Sequence, residues 1–323
     1  MIPKSVLVAG ASGMVGRAVA AELASRHWAV RPHAFSQAPG DVSGIPAAWV
    51  KGDLRLKEDI RRIVAGCDAV VMAAAVSGGQ TQQVQEPWRQ VNDNLIMGAQ
   101  VLETAAKSGV AQVVLIGSAT SYQPFNGKIR EDQMDFNQDP PAMYLGIGWV
   151  SRYLEKAALF WHRKCGLRVT FVRAANVFGP FSKFDPAVSN FIPALIRKTS
   201  ERQNPLRLLG SPAVKRDVIF AGDFARAVAS LLDKQGGGFE IYNIGSGKGV
   251  EVGEVANFLV SQHAGYRPQI HFEGDSKVPA ELRSRVLDIT KLEQALGPVS
   301  TDWKKGVEET RIWWEGNRLI WTR

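Results

Sequence analysis

Between its fifth and sixteenth residues the chain reads Ser5-Val6-Leu7-Val8-Ala9-Gly10-Ala11-Ser12-Gly13-Met14-Val15-Gly16, and no other stretch restricts its fold as much. Four consecutive apolar residues predict a short strand buried on both faces. Three glycines spaced by three follow, and Arg17-Ala18-Val19-Ala20-Ala21-Glu22-Leu23 then carries helical spacing. Strand, glycine turn and helix together bring backbone N–H groups against a diphosphate. The glycines let the turn close and the phosphates approach, and the helix N-terminus adds positive partial charge. A glycine triplet alone would mark only a tight turn; flanked in this way it points to a bound dinucleotide. Gly10, Ser12, Gly13, Met14, Val15 and Gly16 are the residues expected to hold it.

The rest of the chain repeats the alternation. Trp28–Phe35 reads as a second strand, Ala48–Leu54 as a third with its turn, Asp68–Ala75 as a fourth and Gln112–Ser118 as a fifth. Helical patterns over Leu56–Ala65, Asn92–Ser108 and Tyr144–Lys164 separate them, and Leu167–Arg173 and Phe239–Gly245 add further strands. This spacing predicts an α/β fold: a Rossmann-type, doubly wound parallel sheet with a smaller C-terminal substrate lobe. The expected division is a dinucleotide-binding domain over 1–179, completed by about 216–248, and a substrate lobe from 180–215 and 249–323, where Pro- and Gly-rich loops break the period. Trp303, Trp313, Trp314 and Trp321 read as packing anchors of that lobe, because aromatic rings carry the largest apolar area.

An acidic residue near the end of the second strand would hold the ribose of NAD, whereas a basic or small polar one accommodates the 2′-phosphate of NADP. His33, Ser36 and Gln37 stand there, with no acid before Asp41, so NADP(H) is favoured and NAD(H) stays open. A plainer reading makes His33 the cap of a surface strand. Asp53 and Leu54 are placed to reach the adenine, and Ala73, Ala74 and Ala75 to line the cofactor after the fourth strand.

The 323 residues can bury a sizeable core, and 45% hydrophobic with 22% charged residues is ordinary for a globular enzyme. The net charge of +8 is scattered rather than clustered, which suits a small anionic substrate rather than nucleic acid. No apolar run reaches the roughly 18 residues of a spanning helix, so no membrane partner is expected. The start leads straight into the first strand without room for a signal peptide, and Cys67 and Cys165 stand alone; a reducing, cytoplasmic setting and no metal site are expected.

Several pieces, in order along nearly the whole chain, resemble the extended short-chain dehydrogenase/reductases of the NAD-dependent epimerase/dehydratase family, and within them the GDP-fucose synthase-like branch acting on nucleotide sugars. They are the Ala9–Gly16 turn, Ala73–Gly79, Gly117-Ser118-Ala119-Thr120-Ser121-Tyr122, Tyr144 before a helix, Asn176–Pro180, Phe191–Arg197 and Arg216-Asp217-Val218. The resemblance implies hydride transfer between nicotinamide and C4 of a hexose. It makes Tyr144 the acid/base and Ser118 the hydroxyl that holds the reacting oxygen. By the same resemblance Arg216 meets the substrate diphosphate and Arg285 the sugar or phosphates, while Asn176, Phe191 and Leu209 line the pocket. It also implies a homodimer, with Asn92–Ser108 and Tyr144–Lys164 paired into a four-helix bundle.

The chain departs from the family pattern at informative places. The family places a lysine four residues after the tyrosine; here that residue is Gly148. The cysteine and histidine that move protons at C3 and C5 in GDP-fucose synthases correspond to Thr120 and Asn190, and neither titrates near neutral pH. An unassisted phenol, with a pKa near ~10, keeps its proton at neutral pH and serves as an acid rather than a base. The expected activity is therefore NADP(H)-dependent reduction of a nucleotide-linked 4-keto sugar without 3,5-epimerisation. An NAD-dependent nucleotide-sugar 4-epimerase or dehydratase is the alternative within enzymes, and a catalytically silent protein that binds the cofactor or a nucleotide sugar the alternative outside them. A lysine placed at position 148 is expected to tighten cofactor binding.

Overall fold

Ser5–Ala9 (β1) carries only apolar side chains after Ser5, so both of its faces need cover, and both have it. Val6 and Val8 enter one apolar cluster and Leu7 and Ala9 another, all fully buried. The computed structural model describes residues 4–35, 49–78, 87–234, 237–274, 282–299, 302–319 and 321.

From the N-terminus, β1 is followed by α1 (Met14–Ser25), β2 (Ala29–Ala34), β3 (Val50–Lys51), α2 (Lys57–Val64) and β4 (Ala69–Met72). Next come α3 (Pro87–Lys107), β5 (Gln112–Ser118), a 3-10 turn at Ala119–Ser121, β6 (Gly127–Ile129) and α4 (Leu145–Cys165). Then follow β7 (Arg168–Ala174), β8 (Asn176–Phe178), α5 (Phe191–Ser200), β9 (Leu206–Leu209), β10 (Lys215–Phe220), α6 (Ala221–Asp233) and β11 (Phe239–Ile244). The chain closes with β12 (Gly249–Glu251), α7 (Val252–Ser261), β13 (Ile270–Glu273), β14 (Ser284–Leu287), α8 (Thr290–Leu296) and α9 (Trp303–Asn317).

Seven strands form a parallel sheet in the order β11-β7-β5-β4-β1-β2-β3. Its two faces are served by different helices. The cluster of Val6 and Val8 takes Val19 and Leu23 of α1, Phe224 and Val228 of α6 and Leu292 of α8. The cluster of Leu7 and Ala9 takes Ile60 and Ile63 of α2, Leu102 of α3 and Leu154 of α4. Helices on both faces of a parallel sheet are the doubly wound Rossmann arrangement that the alternating pattern predicts. Strand order reverses between β1 and β4, and such sheets bind ligands at that switch point, beyond the carboxyl ends of the strands.

Three elements differ from their sequence reading. The fourth strand spans Ala69–Met72 and stops three residues short of Ala75. The third strand pairs with β2 only at Val50 and Lys51, and α3 begins at Pro87 rather than Asn92.

A second sheet has the order β12-β10-β14-β6, with β8 also on β10. Its outer core gathers Phe178 and Phe184 with Ile192, Leu195, Val255 and Trp314. β6 precedes α4 in the chain yet pairs in parallel with β14, which knits the C-terminal segment to the carboxyl end of the main sheet. The register of β10 on β14 sets Arg216 beside Arg285.

Candidate active site

Glycine at the β1–α1 turn is required for two separate reasons. Gly10 has φ of +81° and a Cβ there would fall 2.5 Å from Ala74 Cα; at Gly16 a Cβ would run into the Gly10 carbonyl. These two close the turn and seat it on the chain after β4. Gly13 differs: it is exposed, and a Cβ there would meet only Gly10 O, at 3.5 Å. Gly13 is the N-cap of α1 with no side chain capping the helix, and the first turn holds no acid. An uncapped helix start with open space before it fits the diphosphate of a dinucleotide, which Met14, Val15 and Gly16 would hold through backbone N–H groups, while the Gly13 N–H donates to Gly10 O at 3.0 Å and closes the turn.

His33 is turned inward, contrary to its expected place at a 2′-phosphate, and equally contrary to a surface cap. It is 1% exposed, and its Nδ1 accepts from Gly10 N at 3.2 Å while Nε2 lies 2.9 Å from Gly52 O. A ring that accepts at Nδ1 must carry its proton on Nε2 and be neutral. Burial pushes its pKa down, which favours that same form. His33 thus clamps the glycine turn to the end of β3 instead of offering charge to a phosphate. Ser36 lies outside the described residues, as do Gln37 and Asp41.

Asp53 is likewise already committed. Its carboxylate accepts from Arg55 Nε at 2.9 Å and Nη2 at 2.8 Å, and the Arg55 guanidinium holds it below the usual carboxylate range. Leu54 is buried in the sheet core. Ala73, Ala74 and Ala75 continue from β4, and Asn94 of α3 fixes the next residue by accepting from Val76 N at 2.7 Å and donating to Val76 O at 2.9 Å.

At the carboxyl end of β5 two hydroxyls meet: Thr120 Oγ1 donates to Ser118 Oγ at 3.0 Å. Tyr144 is the N-cap residue of α4. One turn into that helix Gly148 is buried, and a Cβ there would lie 2.6 Å from Pro140 Cγ and 2.9 Å from Thr120 O. The space beside position 148 is therefore filled by Pro140, so a lysine cannot enter without displacing it. The expectation that such a lysine would tighten cofactor binding is corrected by this contact.

The cations that face Tyr144 come from the other sheet. Burial pushes the Arg285 pKa down to about 10, with Tyr144 opposing and neighbouring Arg216 adding to the fall. Arg216 is lowered by burial and again opposed by Tyr144. Arg285 donates Nη2 to Ala119 O at 3.0 Å and lies over the Phe125 ring at 4.4 Å, while its buried Nη1 has no partner. Arg216 donates to Leu282 O at 2.8 Å. Between them the backbone is set by Asp217, which accepts from Ser246 N at 2.7 Å, Ser246 Oγ at 2.8 Å and Leu287 N at 3.0 Å. Arg285, beside Arg216, thus reaches the backbone between Ser118 and Thr120 where the two sheets meet, and Tyr144 interacts electrostatically with both arginines.

The remaining pocket candidates are more dispersed. Asn176 donates Nδ2 to Asp217 O at 2.8 Å, tying β8 to β10. Asn190 is the exposed N-cap of α5, and Phe191 packs partly against the outer core. Leu209 ends the separate β9–β13 pair with 70% of its surface exposed.

Supporting residues were not legible beforehand. Arg152, 1% exposed, donates Nε to Ser121 O at 2.7 Å and binds the carbonyl of Gln138, holding the turn after Ser118 against α4. Deeper, Arg173 forms a two-pronged pair with Glu155 at 2.9 and 3.0 Å and donates to Tyr122 Oη at 2.8 Å; Tyr122 in turn donates to Asn243. A mid-helix glutamate and a mid-strand arginine carry no local mark of being partners.

Sheet order, glycine cradle and the hydroxyl, phenol and guanidinium groups beside it define a Rossmann-type oxidoreductase with a smaller second sheet. Residues 6–245 match the model of the NAD dependent epimerase/dehydratase family, and the chain belongs to that family. It is 29% identical over 309 residues to a GDP-L-fucose synthase of Sinorhizobium fredii, covering 93% of this chain and 90% of that protein. A dTDP-4-dehydro-6-deoxy-D-allose reductase of Streptomyces is 24% identical over 321 residues, covering 96% of each. Among solved structures, UDP-glucose 4-epimerase of Thermotoga maritima superposes with a TM-score of 0.83 at 22% identity, covering 97% of this chain and 99% of that one. GDP-L-fucose synthetase of Naegleria fowleri bound to NADP gives 0.83 at 17% identity, covering 100% and 96%. Among the described residues no helix is long and apolar enough to cross a membrane.

Proposed function

We propose that the protein is an NADP(H)-dependent reductase of a nucleotide-linked 4-keto sugar, acting at C4 without 3,5-epimerisation. The observation that carries the reading is the pairing of Arg216 with Arg285, whose guanidinium donates to Ala119 O at 3.0 Å, between the Ser118 and Thr120 hydroxyls. A bound nicotinamide cofactor would supply the hydride. Ser118 holds the C4 oxygen, and Tyr144 delivers the proton that the developing alkoxide needs. Arg216 and Arg285 take the substrate diphosphate, for which a planar guanidinium fork is suited. Thr120 and Asn190 cannot shuttle protons at C3 and C5, so attached epimerisation is left out.

The names of the relatives support sugar-nucleotide keto reduction, and NADP is favoured by the likeness to the Naegleria fowleri GDP-L-fucose synthetase bound to NADP rather than by His33, which is committed to the glycine turn. The test is to follow NADPH absorbance with a panel of nucleotide-linked 4-keto sugars: oxidation with at least one is expected. No oxidation with any, together with 4-epimerisation of saturated nucleotide sugars and co-purifying NAD, would establish the epimerase instead. The two guanidiniums facing Tyr144 are what would favour that second reading, since oxidation-first chemistry needs a cation near the phenol.

We also propose a homodimer through α3 and α4. Leu145, Trp149, Tyr153 and Phe160 of α4 are 39–56% exposed, as is Ile96 of α3 at 40%. Paired helices presenting one apolar stripe suit a two-fold partner with the same stripe. Light scattering should give twice the chain mass, and a monomer would remove the idea.

A further inference from the structure

The loop that leaves β8 crosses the switch point between β1 and β4, and three consecutive residues of it touch the dinucleotide cradle. The Phe181 ring lies 4.4 Å from the Arg17 guanidinium of α1. Ser182 Oγ lies 3.0 Å from Met14 Sδ, at the first residue of that helix. Lys183 Nζ donates to the carbonyl of Ser77 and lies 3.3 Å from its hydroxyl, in the chain that continues from β4. The loop is thus laid over the crevice from one wall to the other.

Both sides of this bridge are held in place. Phe184 is 1% exposed and stacks on Trp314 at 4.2 Å, which roots the loop in the outer core. Trp321 donates its indole N–H to Ser182 O at 2.9 Å. Phe181 has φ of +66°, a conformation uncommon for a bulky residue and sustained by packing against Trp313 at 4.6 Å and Trp321 at 5.5 Å. On the opposite wall Ser77 follows Val76, which Asn94 clamps through both backbone groups. An ammonium carried by a rooted loop and set on a fixed platform is preorganised for a ligand that enters between them.

Position in the sheet says which part of a dinucleotide that is. The adenine half belongs beyond β2 and β3, the diphosphate at the start of α1, and the nicotinamide half toward β4 and β5, where Ser118 and Tyr144 stand. Ser77 lies on this last side. Position 148, which could have offered a cation from α4, is closed by Pro140. We propose that Lys183 is a cofactor-gripping residue, its ammonium taking the ribose hydroxyls and adjoining phosphate of the nicotinamide half while Ser77 shares its remaining hydrogen bonds. The proposal rests on the reading of the site as an NAD(P) site, and deepens it.

Titration with NADPH, followed by its fluorescence, tests both separately. For Lys183→Met the dissociation constant of NADPH should rise about tenfold to a hundredfold, as for loss of a charge-assisted hydrogen bond. Binding of AMP and of adenosine 2′,5′-bisphosphate, which lack the nicotinamide half and its phosphate, should stay within about twofold, and GDP and dTDP should be equally insensitive. Lys183→Arg should recover part of the NADPH affinity, and the slope of log Kd against log salt should fall for the Met variant. Unchanged NADPH affinity would overturn the proposal, as would equal loss with the adenine-side fragments. A loss confined to GDP or dTDP would move the cation to the substrate and overturn it too. Failure of the unaltered protein to bind either NADPH or NADH would instead defeat the reading of the site.

Discussion

Gly148→Ala separates two opposing effects whose sizes are known well enough to give a sign. In the interior of a helix, alanine is favoured over glycine by about 1 kcal/mol. At position 148 the added Cβ would stand 2.6 Å from Pro140 Cγ, 2.7 Å from Pro140 Cβ and 2.9 Å from Thr120 O. Two of these atoms belong to a rigid ring and one to the backbone, so none retreats by rotating a side chain. Overpacking of this kind costs about 1–3 kcal/mol, which outweighs the helical gain. The variant should lose about 1 kcal/mol of stability, read as a lower midpoint of urea denaturation. It should also turn over more slowly, because Thr120 O is on the turn that aligns the Ser118 and Thr120 hydroxyls. In a Pro140→Gly background both ring contacts are gone and only Thr120 O remains, so the added Cβ should cost less there, giving a coupling above about 1 kcal/mol between the two sites. A Gly148→Ala protein that is more stable than its parent, or shows no coupling to Pro140, would refute the steric account.

Three further outcomes follow from the same geometry. Tyr144→Phe should lower turnover of a 4-keto sugar nucleotide by about 10²–10⁴-fold while NADPH affinity changes little, measured by initial rates and fluorescence titration. Glu155→Gln leaves the buried Arg173 guanidinium without its counter-charge and should cost about 3–5 kcal/mol in denaturant melts, whereas an exposed pair such as Arg61–Glu58 should matter little. Because burial lowers the folded-state pKa of His33, the unfolded chain binds the extra proton first as pH falls. Stability should therefore decline below the ordinary imidazole value of about 6.5 by up to about 1.4 kcal/mol per pH unit, and His33→Gln should flatten that decline. A His33→Gln protein with the parent's slope would exclude His33 as its source.

The main sheet could be read from the chain because its causes are local or periodic. Four apolar residues before a glycine turn must be a strand covered on both sides, and the regular return of strand and helix leaves few ways to arrange them. Gly10 and Gly16 were marked by their spacing, and Ser118 and Tyr144 by the motifs around them. Strand ends were less clear: β3 keeps only Val50 and Lys51, since pairing with one neighbour decides its length. His33 was misread for a related reason. Its place near the end of the second strand was visible, but which face of that strand it occupies depends on the glycine turn packed beside it.

The sequence alone determined the doubly wound frame, the anion-ready start of α1 and the absence of a lysine at position 148, all properties of residue type and period. Only tertiary structure decided that Pro140 fills that place, that Arg216 and Arg285 stand side by side before Tyr144, and that Lys183 reaches Ser77 across the cleft. These pairs are far apart along the chain, and their meeting depends on the register of strands and on side-chain volumes, which no local pattern records.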